Sequence, residues 1–251
     1  MFKNQYNSNS IIFSPDGQLL QLNYAKKSSE RGNLILSIKS KNHLILMGSL
    51  KSEKLYSSRE NRVLIFDNNL SIITTGISKD GKFLKEVLKK KKYENEISSN
   101  RFCQIPNIAN FCSLVIGRNT YYSNLRPFGI KLTMIGYDST GPLIFDFNSD
   151  GSYQRSKYSV KGKDSNKILC YLDQFVNKFD DFSFDELILK TVLIFSESTK
   201  NSKKFFVKED SIFLSVLGKN SEMFILKEKM IKFYLRIHQN MKEKLKIKII
   251  N

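Results

Sequence analysis

The strongest constraint on the fold of this chain is the way pairs of strands alternate with pairs of helices. Leu34-Ile35-Leu36-Ser37-Ile38 and Leu44-Ile45-Leu46-Met47 are short apolar runs separated by the polar segment Lys39-Ser40-Lys41-Asn42-His43, which predicts an antiparallel hairpin. A second pair, Val63-Leu64-Ile65-Phe66 and Leu70-Ser71-Ile72-Ile73, is joined by Asp67-Asn68-Asn69, whose side chains suit a tight turn. Helical spacing then takes over. Phe83, Val87 and Leu88 recur between Asp80 and Lys92, and Ile108, Phe111, Cys112 and Val115 do so in the next segment. Strands return at Ile130 to Tyr137 and Leu143 to Phe147, with Asn148-Ser149-Asp150-Gly151 turning into a further strand from Tyr153 to Val160. Two more helices are expected at Ile168 to Phe179 and Phe184 to Phe195, the second opened by a Ser183-x-x-Glu186 capping box. A last strand pair, Ile212 to Leu217 and Met223 to Leu226, leads into a basic C-terminal helix from about Lys227.

This order predicts an α+β fold of two packed sheets covered by helices on both outer faces. The 251 residues form one expected domain, 1–251, with no internal repeat or linker, an N-terminal segment and helix over 1–30 and a basic tail at 242–251. A chain of this length buries roughly 70–75% of its unfolded surface, so a full core is available.

The net charge of +17 and the run Lys89-Lys90-Lys91-Lys92 raise nucleic-acid binding as one reading, because clustered cations release phosphate counterions. Against it, the lysines are spread over every expected element, and the run sits where an amphipathic helix should end, facing water and complementing the helix dipole. A basic outer surface could still meet acidic partners. Cys103, Cys112 and Cys170 cannot all pair with one another and show no metal-binding spacing, which favours free thiols in a reducing compartment. No apolar run reaches signal-peptide or membrane-spanning length, so the expectation is a soluble intracellular protein.

The first twenty-five residues carry a second kind of information. Tyr6 leads through Phe13-Ser14-Pro15-Asp16-Gly17 to Gln21, Tyr24 and Ala25. Pro15 fixes its own φ and Asp16-Gly17 supplies turn chemistry, so the chain should bend there and start a helix bearing Leu19, Leu20, Leu22, Tyr24 and Ala25. The pattern resembles the opening of proteasome alpha-type subunits. A second block, Arg126-Pro127-Phe128-Gly129 followed by Gly136-Tyr137-Asp138, Gly141-Pro142 and Ser152-Tyr153, resembles the mid-chain motif of the same family, in the same order and at similar spacing. The resemblance covers about residues 4–235. Asn4-Gln5-Tyr6 and Ser113-Leu114-Val115-Ile116-Gly117 are most similar to the eukaryotic alpha type-1 branch. Gln18 stands where the family favours arginine, Asn23 where it favours glutamate, and Gly81-Lys82 where Ala-Arg is usual.

The resemblance implies the four-layer αββα sandwich of N-terminal-nucleophile hydrolases and a noncatalytic role in the alpha ring of the proteasome core. That role comprises ring assembly, control of substrate entry and activator docking. The implied partners are other alpha subunits, beta subunits and an ATPase regulatory particle or other activator, with no cofactor and a cytoplasmic and nuclear location. A gate cluster would use Tyr6, Pro15 and Tyr24, with Asn7 in place of the family's aspartate. The amide keeps an acceptor but loses the charge, and charge-assisted bonds are roughly twice as strong as neutral ones, so the gate is expected to be weakened. A pocket for activator carboxylates would use Arg62 at the family's lysine position, with Gly17, Leu19 and Gly76. Arginine keeps the charge and can bind a carboxylate bidentately. The bland alternatives are Tyr6 as an aromatic of a loose terminus and Arg62 as a solvated loop residue. Arg126-Pro127-Phe128-Gly129 is read as architecture, with Phe128 in the core.

Catalytic chemistry is hard to place. Related catalytic subunits use an N-terminal threonine whose own amine is the base. The equivalent position here, just after Gly32, is Asn33, and an amide is no nucleophile. His43 and His238 have no partners visible in sequence, the cysteines read as small hydrophobes or inert thiols, and the glycines form no phosphate-binding loop. An N-terminal-nucleophile hydrolase, active after cleavage, is the alternative enzyme reading.

Overall fold

The computed structural model describes residues 6, 10–49, 63–67, 69–200, 212–218, 223–226, 229–234 and 236–237. Two five-stranded antiparallel sheets form the centre. The first contains β1 (Ile35–Lys39), β2 (His43–Ser49), β8 (Tyr158–Lys161), β9 (Ile212–Gly218) and β10 (Phe224–Ile225), in the order β10-β9-β2-β1-β8. The second contains β3 (Val63–Asp67), β4 (Leu70–Gly76), β5 (Ile130–Asp138), β6 (Gly141–Phe147) and β7 (Tyr153–Arg155), in sequence order. Both expected hairpins are present, with Ile38 opposite Ile45 in one and Leu64 opposite Ile72 in the other.

Strand periodicity divides the buried side chains into three apolar layers. Leu36, Ile38, Ile45, Met47, Leu214 and Val216 point outward from the first sheet against α4 (Ser165–Leu172) and α5 (Phe184–Lys200). Leu70, Ile72, Leu132, Met134 and Phe147 point outward from the second against α2 (Ser78–Ser99) and α3 (Ile105–Tyr121). Ile35, Leu44, Leu46, Phe213 and Leu217 face Ile73, Ile135 and Ile144 between the sheets. The result is the expected αββα sandwich, and each fully buried aliphatic side chain contributes about 1.5–3 kcal/mol to it. Phe128 lies in the layer under α2 and α3, as the motif reading expects. A remaining helix, α1 (Leu20–Glu30), packs against β4 and β5.

Several boundaries differ from the sequence reading. The expected strand from Tyr153 to Val160 breaks at Ser156-Lys157, and its halves belong to different sheets: Arg155 pairs with Phe145, while Tyr158 pairs with Ile38. The expected helix from Ile168 to Phe179 ends at Leu172, and a 3₁₀ turn spans Val176–Asp181. The lysine run does not close α2. The helix continues to Ser99, and Lys92 is buried with its Nζ 2.8 Å from Glu96 Oε1 four residues on, so one of the four lysines is a structural ion-pair partner and not part of a solvated face. The start of α5 keeps its cap: Glu186 Oε2 accepts from the Ser183 amide at 3.0 Å and from its hydroxyl at 2.9 Å. Helical residues 229–234 follow β10; the expected tail and His238 lie outside the described residues.

Candidate functional site

The N-terminal turn closes on Ser14. Gly17 N donates to Ser14 O at 2.8 Å, Ser14 N to Gln18 O at 2.8 Å, and Gln18 N to Ser14 Oγ at 3.2 Å. Gly17 has φ +71°, the left-handed region that glycine reaches at least cost, and open space where a Cβ would stand. Pro15 and Asp16 are exposed on the turn, and Leu19 is the N-cap residue of α1 with no side-chain cap. Asn23 Nδ2 instead donates to Gln18 Oε1 at 2.9 Å. Gln18 and Asn23, two of the departures from the resembled pattern, are thus joined to each other by a neutral hydrogen bond.

The far end of α1 is locked to the sandwich. Ala25 and Ser29 are buried, Lys26 Nζ lies 3.2 Å from Asp150 Oδ2, and Lys131 Nζ lies 3.1 Å from Glu30 Oε1. Burial raises the Asp150 carboxyl, but hydrogen bonds from Ser152 and the Lys26 ammonium outweigh this and hold it below the ordinary carboxylate value. Gly76 has φ +116°, and a Cβ there would stand 2.2 Å from Gly129 O and 3.0 Å from Ser29 Cα. Gly17 and Leu19 therefore stand together at the start of α1, whereas Gly76 meets its last turn, roughly 15 Å along the axis at 1.5 Å per residue. Arg62 lies outside the described residues, as does Asn7. Of the expected gate residues, Tyr6 is half-buried while Pro15 and Tyr24 are exposed.

Asn33 lies between α1 and β1, and close backbone packing fills its surroundings. Its carbonyl accepts from Thr75 Oγ1 at 2.9 Å, and Lys163 N donates to Gly32 O at 3.1 Å. A Cβ at Gly162, φ +98°, would stand 2.0 Å from Asn33 O. His43 packs its ring 5.2 Å from that of Phe184. Cys112 is buried in the layer under α2 and α3, Cys103 half-buried, and Cys170 exposed. Among the described residues, no group of three His, Cys, Asp or Glu side chains converges, and no helix is long and apolar enough to cross a membrane.

Two polar clusters escaped the sequence reading. Between the sheets, Asp146 Oδ1 accepts from Thr133 Oγ1 at 3.2 Å and from Ser159 Oγ, and lies 3.4 Å from Lys161 Nζ, which also donates to Phe147 O at 2.8 Å. Burial pushes the Lys161 ammonium down, and Asp146 offsets only part of that shift. The second cluster joins Asp80, Arg126 and Gly129. The signal for the first was a polar residue at alternate positions of otherwise apolar strands; the second left none, because its partners are far apart in sequence.

A family model described as "Proteasome subunit" matches residues 29–205. The chain is 24% identical over 222 residues to the probable proteasome subunit alpha type-6 of Schizosaccharomyces pombe, covering 88% of this chain and 81% of the relative. It is 25% identical over 240 residues to the proteasome subunit alpha type-1 of Caenorhabditis elegans, covering 94% and 90%. Against the alpha type-1 subunit of Drosophila melanogaster it is 27% identical over 238 residues, covering 91% and 82%. The match runs from the last turn of α1 through α5, and the relatives it resembles are alpha-type subunits; the chain belongs to the proteasome subunit family and is of its alpha type.

Proposed function

We propose that this chain is a noncatalytic subunit of the alpha ring of the proteasome core, supporting ring assembly, substrate entry control and activator docking in protein degradation. The observation that carries this reading is α1, packed on β4 and β5 and tied by Lys131–Glu30 to β5 and by Lys26–Asp150 to the turn after β6, with Asn33 behind it where a nucleophile would have to be. A catalytic terminus at that position would require removal of α1, and it would expose an amide side chain incapable of attack. This weighs against the N-terminal-nucleophile alternative. The nucleic-acid alternative has no support beyond charge, and the run that suggested it is partly consumed by the Lys92–Glu96 pair.

The partners on this reading are neighbouring alpha subunits, beta subunits that supply the threonine nucleophiles, and an ATPase or other activator. The protein works in the cytoplasm and nucleus. Tyr6, Asn7, Pro15 and Tyr24 form the gate contribution, and Gly17, Leu19, Arg62 and Gly76 the contribution to an activator pocket completed by a neighbouring subunit. The exposed turn at Pro15 and Gly17 supports both, because its backbone is ordered while its outer surface is open to another chain.

The test is gentle isolation of the protein from its native cell, with the mass and composition of the particle that carries it. Recovery in a large complex with related alpha and beta subunits is expected. Recovery only as a free monomer would remove the function and leave the fold.

A further inference from the structure

The connection between α2 and α3 holds an almost fully exposed phenylalanine in a fixed place. Phe102 is 95% exposed, and Ile97, in the last turn of α2, is 83% exposed. An aromatic side chain covers roughly 150–250 Å² when buried, so this one withholds a large apolar surface from its own core.

The loop that presents it is tethered. Asn100 ends α2 in the left-handed region, φ 48° and ψ 33°, a conformation asparagine tolerates. The next residue after Phe102 is bound back onto the helix: Cys103 N donates to Glu96 Oε1 at 3.1 Å, and Asn95 Nδ2 lies 3.7 Å from Cys103 Sγ. Glu96 Oε1 is itself held by buried Lys92 at 2.8 Å. A side chain on a backbone ordered beforehand loses little freedom on capture. Aromatic anchors of this kind carry most of the binding energy where they fill a partner's pocket.

Charge at the tip selects the partner. Arg101, next to Phe102, is exposed and forms no ion pair with a described residue, whereas Glu94 is already approached by Lys90 and Lys91 at 3.9 Å each. The tip therefore offers an apolar knob beside an unneutralised cation, which fits an apolar hollow with acidic edges. Building on the reading of this chain as one subunit of a larger particle, we propose that Phe102 inserts into a carboxylate-rimmed apolar socket on a neighbouring subunit of that particle.

The experiment uses the assembled particle purified from its native cell. Benzoylphenylalanine placed at position 102 is irradiated and the crosslinked peptides are sequenced; Phe102→Ala and Arg101→Glu subunits are exchanged against labelled wild type. The inference expects one dominant crosslink, to a core subunit at a peptide containing Asp or Glu. It also expects about 30-fold faster exchange for Phe102→Ala and a smaller acceleration for Arg101→Glu. The unfolding midpoint of isolated Phe102→Ala should match wild type, since the side chain contributes almost nothing to its own core. Scattered crosslinks, none, a crosslink to a protein outside the core, or exchange within twofold of wild type would each overturn the anchor while the subunit reading stands. Absence of the wild-type chain from any particle would take down both.

Discussion

Arg126 grips Asp80 at two points across 46 residues of sequence, Nη1 to Oδ2 at 2.8 Å and Nη2 to Oδ1 at 2.5 Å, and the same Oδ2 accepts from Gly129 N at 3.0 Å. Asp80 is 4% exposed and sits in the first turn of α2, where a carboxylate also complements the helix dipole. The pair fastens the start of that helix to the segment entering β5. This gives the family-like Arg126-Pro127-Phe128-Gly129 block its physical purpose: Phe128 fills the core, and Arg126 and Gly129 N supply the three donors that keep Asp80 buried.

Asp80→Ala removes all three bonds and leaves the Gly129 amide buried without its acceptor. Because the Arg126 side chain is 63% exposed and can rehydrate, the expected loss is about 2–3 kcal/mol and not the full value of a buried pair. Arg126→Lys keeps the charge and the Gly129 bond but forfeits the fork, with an expected loss of about 1 kcal/mol. Urea unfolding at constant m-value measures both. Equal losses would mean that the amide acceptor contributes nothing.

Gly76→Ala forces a Cβ to within 2.2 Å of a carbonyl oxygen at a φ of +116°. Neither strand β4 nor α1 can yield without opening the contact with Ser29, so a loss of about 3 kcal/mol is expected. The diagnostic readout is local: amides of α1 should lose hydrogen-exchange protection before those of β4 and β5. Uniform loss across the domain would contradict the view that Gly76 seats α1.

The paired strands, the helix pairs and the capping box were legible because each is written in neighbouring residues. The short apolar run Leu44 to Met47 and the four-residue return in Ile108 to Cys112 need no tertiary knowledge. What was missed is non-local. Nothing near Ser156 announces that the chain leaves one sheet for the other, since Tyr153 to Val160 reads as one extended run. Lys92 looks like its three neighbours, and although its partner Glu96 is only four residues on, the burial of the pair and the Cys103 amide that shares Glu96 come from the tertiary packing. Gln18 and Asn23 read as separate departures from a family pattern, and their mutual hydrogen bond at 2.9 Å became visible only in three dimensions. For the candidate site, the turn at Gly17 was legible from composition; the seating role of Gly76 was not.

The three thiols should separate by reactivity. Burial pushes the Cys112 thiol far above its ordinary range, and no solvent reaches it, so it should resist alkylation until the domain unfolds. Cys170 is exposed on α4 and should react first, with Cys103 slower because it is half-buried beside Asn95. Mass-resolved alkylation over time reads the order. Early labelling of Cys112 would contradict the packing of α3 on its sheet.

Lys161 gives the fold a pH dependence whose sign follows from its burial. Its ammonium is pushed below the ordinary lysine value of 10.5, chiefly by desolvation. Between that lowered value and 10.5 the unfolded chain binds more protons than the folded one, so this group makes the protein more stable as pH rises through the window. Lys161→Met removes the effect, and at neutral pH it also strips Asp146 of its cation while leaving the Ser159 and Thr133 hydroxyls, at an expected cost of about 2–3 kcal/mol. The gap between wild type and Lys161→Met should therefore widen as pH rises from neutrality towards 10.5. Tyr158 and Tyr234, whose hydroxyls are pushed up, act in the opposite direction but equally in both proteins, so they cancel in the difference. The double variant Lys161→Met with Asp146→Leu should recover most of the lost stability, because an apolar pair of similar volume can replace a buried ion pair without leaving either partner alone. Urea unfolding of the three proteins across that pH range settles it: a gap that stays constant would show that Lys161 titrates in the folded protein as it does in water, and one that narrows would show that folding holds its proton more tightly.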